Sequence, residues 1–284
     1  MHTNHGSEKL PTKSVAGITV PVLPLDNYVP DTRQQNDIDQ AIYALASKCM
    51  KPKGLSWPAP LPIIGTPHSP NERRYGISDE ATAREYGYQL PPSKGVSREQ
   101  ALQREKSEQL RKSKMTRKAI AAYTGESSDG SKTDSEGGCR GRALAQLRLN
   151  QKTEGLSPAD KSTLEAWEST NRDQHAIEAN ASWSKCMKRS GYDYPDPYAA
   201  AADPAWLPSG APDYSKKPSP REVATALADI RCKREVNYLK TWQAVETKYQ
   251  LGLIHTRSKS LNEARSAWQR SLRLAREVIA NNYR

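Results

Sequence analysis

The chain has 284 residues, of which 36% are hydrophobic, with a mean hydropathy of -0.85. No apolar stretch approaches the ~20 residues of a membrane span, so a transmembrane segment is excluded for this chain. Pro (20) and Gly (16) occur at ordinary levels, which excludes a collagen-like or uniformly low-complexity chain, and the net charge is +11.

Phe is absent, against 13 Tyr and 6 Trp. Every large aromatic therefore carries a polar atom that wants a partner. The expected core is built from Leu, Ile, Val and Ala, with Tyr and Trp at its margins.

Residues 1–30 are polar and then punctuated by Pro11, Pro21, Pro24 and Pro30, and read as an N-terminal tail or linker. They lack a basic start followed by an apolar core, so export would rest on a signal outside this chain. A helix is expected from about Asp31 or Thr32 to Lys51, then an irregular Pro-rich stretch over 52–77. Ser78-Asp79-Glu80 opens a short helix ending at Tyr86. Ser97-x-x-Gln100 is a capping box for a basic helix to about Tyr123. Residues 124–138 read as a flexible loop. A helix from Arg140 to Asn150 then presents Ala143, Leu144 and Leu147 on one face.

Ser157-Pro158 opens the next helix, carrying Leu164 and Trp167. A break falls near Thr170-Asn171, and the pattern resumes to Arg189. The Pro-rich stretch 191–218 holds Tyr192, Tyr194, Tyr198 and Trp206, which either seal the core beneath it or line a groove. Ser219-Pro220 opens a helix running past Cys232 to about Tyr249. From Ile254 a heptad-like seam (Leu261, Ala264, Trp268, Ala275, Val278) predicts a long helix packed antiparallel on a partner helix, within the chain rather than as a coiled coil to another protein. No convincing strand alternation exceeds four residues. The expected fold is mainly α: a helical module with long Pro-rich irregular loops and a long C-terminal helix or helical hairpin. Its two halves, 31–150 and 151–284, are expected to form one compact unit.

The four cysteines are Cys49, Cys139, Cys186 and Cys232, none at C-x-x-C spacing, so no zinc or thioredoxin-like motif is suggested. Two of them sit in matching segments. Ser47-Lys48-Cys49-Met50-Lys51-x-x-Gly54 with Trp57-Pro58 reads against Ser184-Lys185-Cys186-Met187-Lys188-x-x-Gly191 with Tyr194-Pro195. Apolar spacing runs into each cysteine: Ile38, Ile42 and Leu45 before the first, Ile177 and Ala181 before the second. The Gly five residues on is a helix stop of left-handed conformation, and the aromatic three residues later folds back. An even cysteine count without metal spacing predicts two disulfides in an oxidising compartment. Of the three pairings, Cys49–Cys139 with Cys186–Cys232 keeps each bridge within one repeat half. Gly137-Gly138-Cys139-Arg140-Gly141 has a partial likeness to the cysteine-nucleophile context of caspases, but lacks a His base in a suitable setting and reads as a loop closing on a disulfide.

The basic excess is local. Residues 94–120 carry six net positive charges and residues 250–284 carry five, on an otherwise neutral body. Either these are solvated helix faces, or they contact a polyanion through Arg104, Arg111, Lys112, Lys114, Arg265, Arg270, Arg273 and Arg276.

Cys49-Met50-Lys51-x-x-Gly54, Arg73-Arg74-Tyr75-Gly76, Tyr86-Gly87-Tyr88, Gly138-Cys139-x-Gly141, Cys186-Met187 with Gly191-Tyr192-Asp193-Tyr194, and Arg231-Cys232-Lys233 together resemble a group of uncharacterised secreted proteins and lipoproteins of actinobacteria. The resemblance implies export and disulfides, and no reaction.

No phosphate-binding loop, metalloprotease, nucleophile-elbow or dinucleotide-binding motif is present. Asp193, Asp196 and Asp203 match no calcium loop. No catalytic, cofactor or metal residue is assigned, and no cofactor is expected. The leading expectation is a non-catalytic exported cell-envelope protein binding another protein or an anionic envelope polymer. The alternatives are a cytoplasmic nucleic-acid-binding protein using 94–120 and 250–284, and, more weakly, an envelope hydrolase with an unrecognised site.

Overall fold

Local capping chemistry sets where most helices begin. In the computed structural model, which describes residues 10–15, 18–149, 156–206 and 213–282, the Asp31 carboxylate accepts from the N–H groups of Arg33 and Gln34. The Gln34 side chain accepts from the Asp31 N–H in return, and this capping box opens α1 (Thr32–Met50). Asp79 caps α2 (Glu80–Tyr86), Thr116 caps α4 (Arg117–Thr124) and Asp173 caps α7 (Gln174–Arg189). Asp196 caps the short α8 (Pro197–Ala201) and Ser219 caps α9 (Pro220–Glu235), each with Pro in the first turn. The remaining helices are α3 (Arg98–Ser113), α5 (Gly138–Gln146), α6 (Pro158–Arg172), α10 (Tyr238–Thr256) and α11 (Ser258–Asn282). The molecule is mainly helical, as expected.

Five local expectations are corrected. The basic helix ends at Ser113 and restarts after Thr116, whose hydroxyl takes the Ala119 N–H. The helix through Cys232 stops at Glu235, because Asn237 adopts φ 52 and divides α9 from α10. The 124–138 loop is tied down: Gly125 carbonyl accepts from Thr133 and Asp134, and Arg142 bridges Asp134 and Glu136 at 2.9 and 3.0 Å. Residues 10–15 and 18–28 do not hang free. Strands β1 (Thr12–Val15) and β2 (Ile18–Pro21) pair antiparallel, Thr12 opposite Pro21. Gln243 donates to the Pro11 carbonyl at 2.7 Å, the Leu25 N–H donates to Gln250 at 2.9 Å, and Val20, Leu23 and Leu25 are buried. Asn150, the expected end of α5, lies outside the described residues, and α5 itself stops at Gln146.

The chain forms two compact units, each drawn from three separate stretches. One comprises 1–25, 64–99 and 161–256; the other comprises 26–63, 100–160 and 257–284. They divide the chain differently from the consecutive halves 31–150 and 151–284.

The first unit packs α7, α9 and α10 around Trp183, Trp242, Tyr75, Tyr238, Met187 and Ile230. Its aromatics stand at the centre of the core, not at its margins. With no Phe to use, each of these buried rings brings a polar atom; the core supplies partners for three of them and leaves the Trp242 N–H without one. Tyr238 donates to Asn180 at 2.8 Å, Trp183 to Asp229 at 2.9 Å and Tyr75 to Glu246 at 3.0 Å. The Pro-rich stretch seals this core: Trp206 is buried and stacks on Tyr88. On α7 the buried residues are Ala176, Ala179, Trp183, Cys186 and Met187, so Ile177, expected inside, is 46% exposed. Leu164 on α6 is likewise outside.

The second unit packs α11 and α5 on α1, with Ile38, Ala41, Leu147, Leu272 and Ala275 buried between them. Trp268 donates to the Tyr28 carbonyl, just before α1, while Arg276, two turns later, meets Asp37 in the second turn of α1. The contacts advance together along both segments, so α1 and α11 run in the same sense rather than the antiparallel sense expected.

Candidate functional sites

The two repeats build the same device, one in each unit. After Met50, Gly54 has φ 67, its N–H reaches the Lys51 carbonyl at 3.0 Å, and the Leu55 N–H reaches the Met50 carbonyl at 3.3 Å. After Met187, Gly191 has φ 85, its N–H reaches Lys188 at 3.0 Å, and the Tyr192 N–H reaches Met187 at 3.0 Å. This is a left-handed glycine cap with a backbone bond closing the last turn. One turn before each cap a cysteine is bridged to another helix: Cys49 to Cys139 on α5 and Cys186 to Cys232 on α9, with Cα–Cα distances of 5.7 and 5.6 Å. Both bridges are the pairing expected, and no described cysteine is free.

The aromatics after the caps pack differently. Trp57 stacks on Tyr123 at 3.9 Å. Tyr194 donates to Asp203 at 2.6 Å and accepts, through its carbonyl, the Ser184 hydroxyl. The equivalent Ser47 hydroxyl is buried without a partner.

In the first unit the short motifs Arg-Arg-Tyr-Gly (73–76), Tyr-Gly-Tyr (86–88) and Arg-Cys-Lys (231–233) meet in a buried polar cluster. Lys233 ammonium lies within 3.0 Å of Asp229 and 3.1 Å of the Ile77 carbonyl. Both side chains are fully enclosed, and burial pushes Lys233 down and Asp229 up. Gly76 is needed beside them, because a Cβ there would stand 2.5 Å from the Lys233 nitrogen. Glu222, also buried, accepts the Tyr88 N–H at 3.0 Å, and burial raises its carboxyl above the ordinary value. Glu246 accepts from Arg74, Tyr75 and Gln250. These titratable groups are spent on one another and on backbone. Sequence reasoning missed them. The available signal was an Asp–Lys pair at i, i+4 on a helix that also carries the cysteine.

A cleft of about 390 Å³ opens in the same unit, in the size range of small-molecule sites. His68, Glu72, Asp79, Glu85 and Lys94 line it, with Tyr86 and three prolines. Its walls are fastened by reciprocal backbone bonds between Thr66 and Lys94 at 2.8 and 2.9 Å. His68 sits between the Glu72 carboxylate at 3.1 Å and the Pro91 carbonyl at 2.8 Å. Burial works against the charged form of Asp79, but hydrogen bonds from Thr82 and the nearby Lys94 hold its carboxyl below the usual range. No motif marked this cleft, because α2 supplies one part of its lining and the loops around 66–68 and 91–96 supply much of the rest.

The eight basic candidates all belong to the second unit. Arg104 donates to the carbonyls of Pro62 at 2.5 Å and Leu61 at 3.3 Å. Arg111 donates to Pro58 at 3.3 Å and makes a two-pronged pair with Glu108 at 2.7 and 2.6 Å. That pair holds the Glu108 carboxyl below its usual range. Arg265 lies over the Tyr28 ring and donates to Asn262, and Arg276 pairs with Asp37. Lys112, Lys114, Arg270 and Arg273 are exposed. Half of the candidate set thus has an internal contact, Arg276 while still exposed, and the other four divide between the α3–α4 region and α11. Compared with family models, curated proteins and solved structures, the chain matches none.

Proposed function

We propose that this chain is an exported cell-envelope protein, secreted or lipid-anchored, that acts by binding rather than by catalysis. The observation carrying this reading is the pair of disulfides, one stapling each unit at the same point of a repeated helix–cap motif. Such bridges belong to an oxidising, extracytoplasmic compartment. Among the described residues no helix is long and apolar enough to cross a membrane, so attachment would use another device. The strongly perturbed groups Lys233, Asp229 and Tyr75 lie inside the packed core of the first unit, where they serve folding. Exposed cations on α3, α4 and α11 are left to meet an anionic partner. The cytoplasmic nucleic-acid reading needs reduced cysteines and loses this support.

The test is thiol titration. Protein made in an exporting host should resist alkylation, both native and in denaturant, until reductant is added. Four alkylated cysteines without reductant would overturn the reading.

A further inference from the structure

Helix α3 packs on one narrow face. Ala101 is its one buried residue. Arg104, Glu108 and Arg111 fall on the same side, where the two arginines grip the carbonyls of Pro58, Leu61 and Pro62. The other side, formed by Gln103, Lys106, Ser107, Leu110, Ser113 and Lys114, is exposed along its whole length. Positions three and four apart are neighbours on a helix, so these residues form one stripe. Leu110, 59% accessible, stands between Lys106 and Lys114. After the turn at 114–116, α4 begins with exposed Arg117 and Lys118, and Ile120 follows at 41% accessible. Of the three acidic residues on α3, Glu108 is taken up by Arg111, while Glu99 and Glu105 are exposed and offset part of this charge.

We propose that this stripe and the adjoining α3–α4 bend dock the protein onto an anionic lipid bilayer. The proposal rests on the envelope reading above and names the partner. A soluble polyanion would meet the cations and leave Leu110 and Ile120 in water. A bilayer meets both: phosphate headgroups take Lys106, Lys114, Arg117 and Lys118, and the boundary beneath them accepts the two apolar side chains. The division of labour among the arginines fits this use. Arg104 and Arg111 fasten α3 to the Pro-rich strap from behind, so the opposite stripe is presented by a braced helix. Charge complementarity selects anionic over neutral lipid. Each cation held close to such a surface changes partitioning by about fivefold, and the gain falls with salt.

The experiment is co-sedimentation of the disulfide-bonded full chain with vesicles of phosphatidylglycerol and phosphatidylcholine, against vesicles of phosphatidylcholine alone. The chain should sediment with the mixed vesicles, progressively less as salt is raised, and not with the neutral ones. Replacing Lys106, Lys114, Arg117 and Lys118 by Gln together should cut partitioning by roughly a hundredfold or more. Leu110→Ser with Ile120→Ser leaves the charge unchanged and should cut it by about tenfold, with retention on heparin unaltered. No binding to mixed vesicles would overturn the proposal, as would vesicle binding indifferent to the Leu110 and Ile120 changes, which would mark a general polyanion site. Absence of binding by a chain with intact bridges refutes the bilayer partner alone. Free thiols in the exported chain refute the envelope reading itself.

Discussion

A tyrosine or tryptophan used where phenylalanine would suffice imports a polar atom into the core, and the first unit shows the consequence. The Trp183 N–H requires an acceptor and finds Asp229; buried Asp229 requires a cation and finds Lys233. Breaking such a pair from one side leaves the other group enclosed and uncompensated. Lys233→Met should therefore cost about 3–5 kcal/mol in urea unfolding. Adding Asp229→Asn keeps an acceptor for Trp183 and removes the stranded carboxylate, so the double variant should recover most of that loss. Glu222 gives a pH signature. Burial raises its folded carboxyl above its ordinary 4.5, so between the unfolded and folded values the native state holds more protons. Its contribution to stability is full below about 4.5 and is lost as pH rises through the folded value. Glu222→Gln keeps an oxygen for the Tyr88 N–H and carries no charge. Its melting temperature should match wild type near pH 4 and exceed it at pH 7. If the two melting curves stay parallel across that range, Glu222 is not a source of this pH dependence.

At the scale of elements, the repeated glycine cap was legible from S-K-C-M-K-x-x-G alone, since a stop of that form depends on neighbours in sequence. Gly54 and Gly191 both have positive φ, and a Cβ at either would meet nothing within 4 Å. Replacing either by Ala therefore incurs only backbone strain, about 1 kcal/mol in equilibrium unfolding. The cost should be alike at the two sites, and unequal losses would show that the caps are not equivalent. Capping residues Asp31, Asp79 and Ser219 were legible for the same local reason. What was not legible depends on tertiary choice. The α7 face turns on whether Trp183 or Ile177 enters the core, and periodicity admits either. The break at Asn237 needs a left-handed residue that no Gly or Pro announces. The β1–β2 hairpin carries four-residue strands, too short for alternation to register, and it is held by Gln243 and Gln250 from far along the chain. The cleft around His68 joins α2 to two loops whose closeness is fixed by the Thr66–Lys94 pairing and the His68–Pro91 hydrogen bond, neither of which the sequence announces. By contrast, the repeat favoured the observed disulfide partners among three possible pairings, because that pairing keeps each bridge within one half.

At the scale of the whole molecule, chain order and spatial order disagree. Each unit gathers three stretches, so the units close only when distant segments meet. Loop closure of that kind is costly in entropy, and each bridge removes part of the cost from the unfolded chain. The bridges span 90 and 46 residues, for which the loop-entropy model gives roughly 4–5 kcal/mol each. Because each lies within one unit, their loss should be felt locally. Cys49→Ser with Cys139→Ser should lower hydrogen-exchange protection first in α1, α5 and α11, whereas Cys186→Ser with Cys232→Ser should lower it first in α7, α9 and α10. The expectation follows from where the cysteines sit. Cys139 is in the first turn of α5, against the capped end of α1, and Cys232 is in the last turn of α9, against the capped end of α7. Each cut therefore frees one repeat helix from one partner. Equal loss of protection in both groups of helices on either cut would show instead that the two units unfold as a single cooperative body, and that the repeats share one stability.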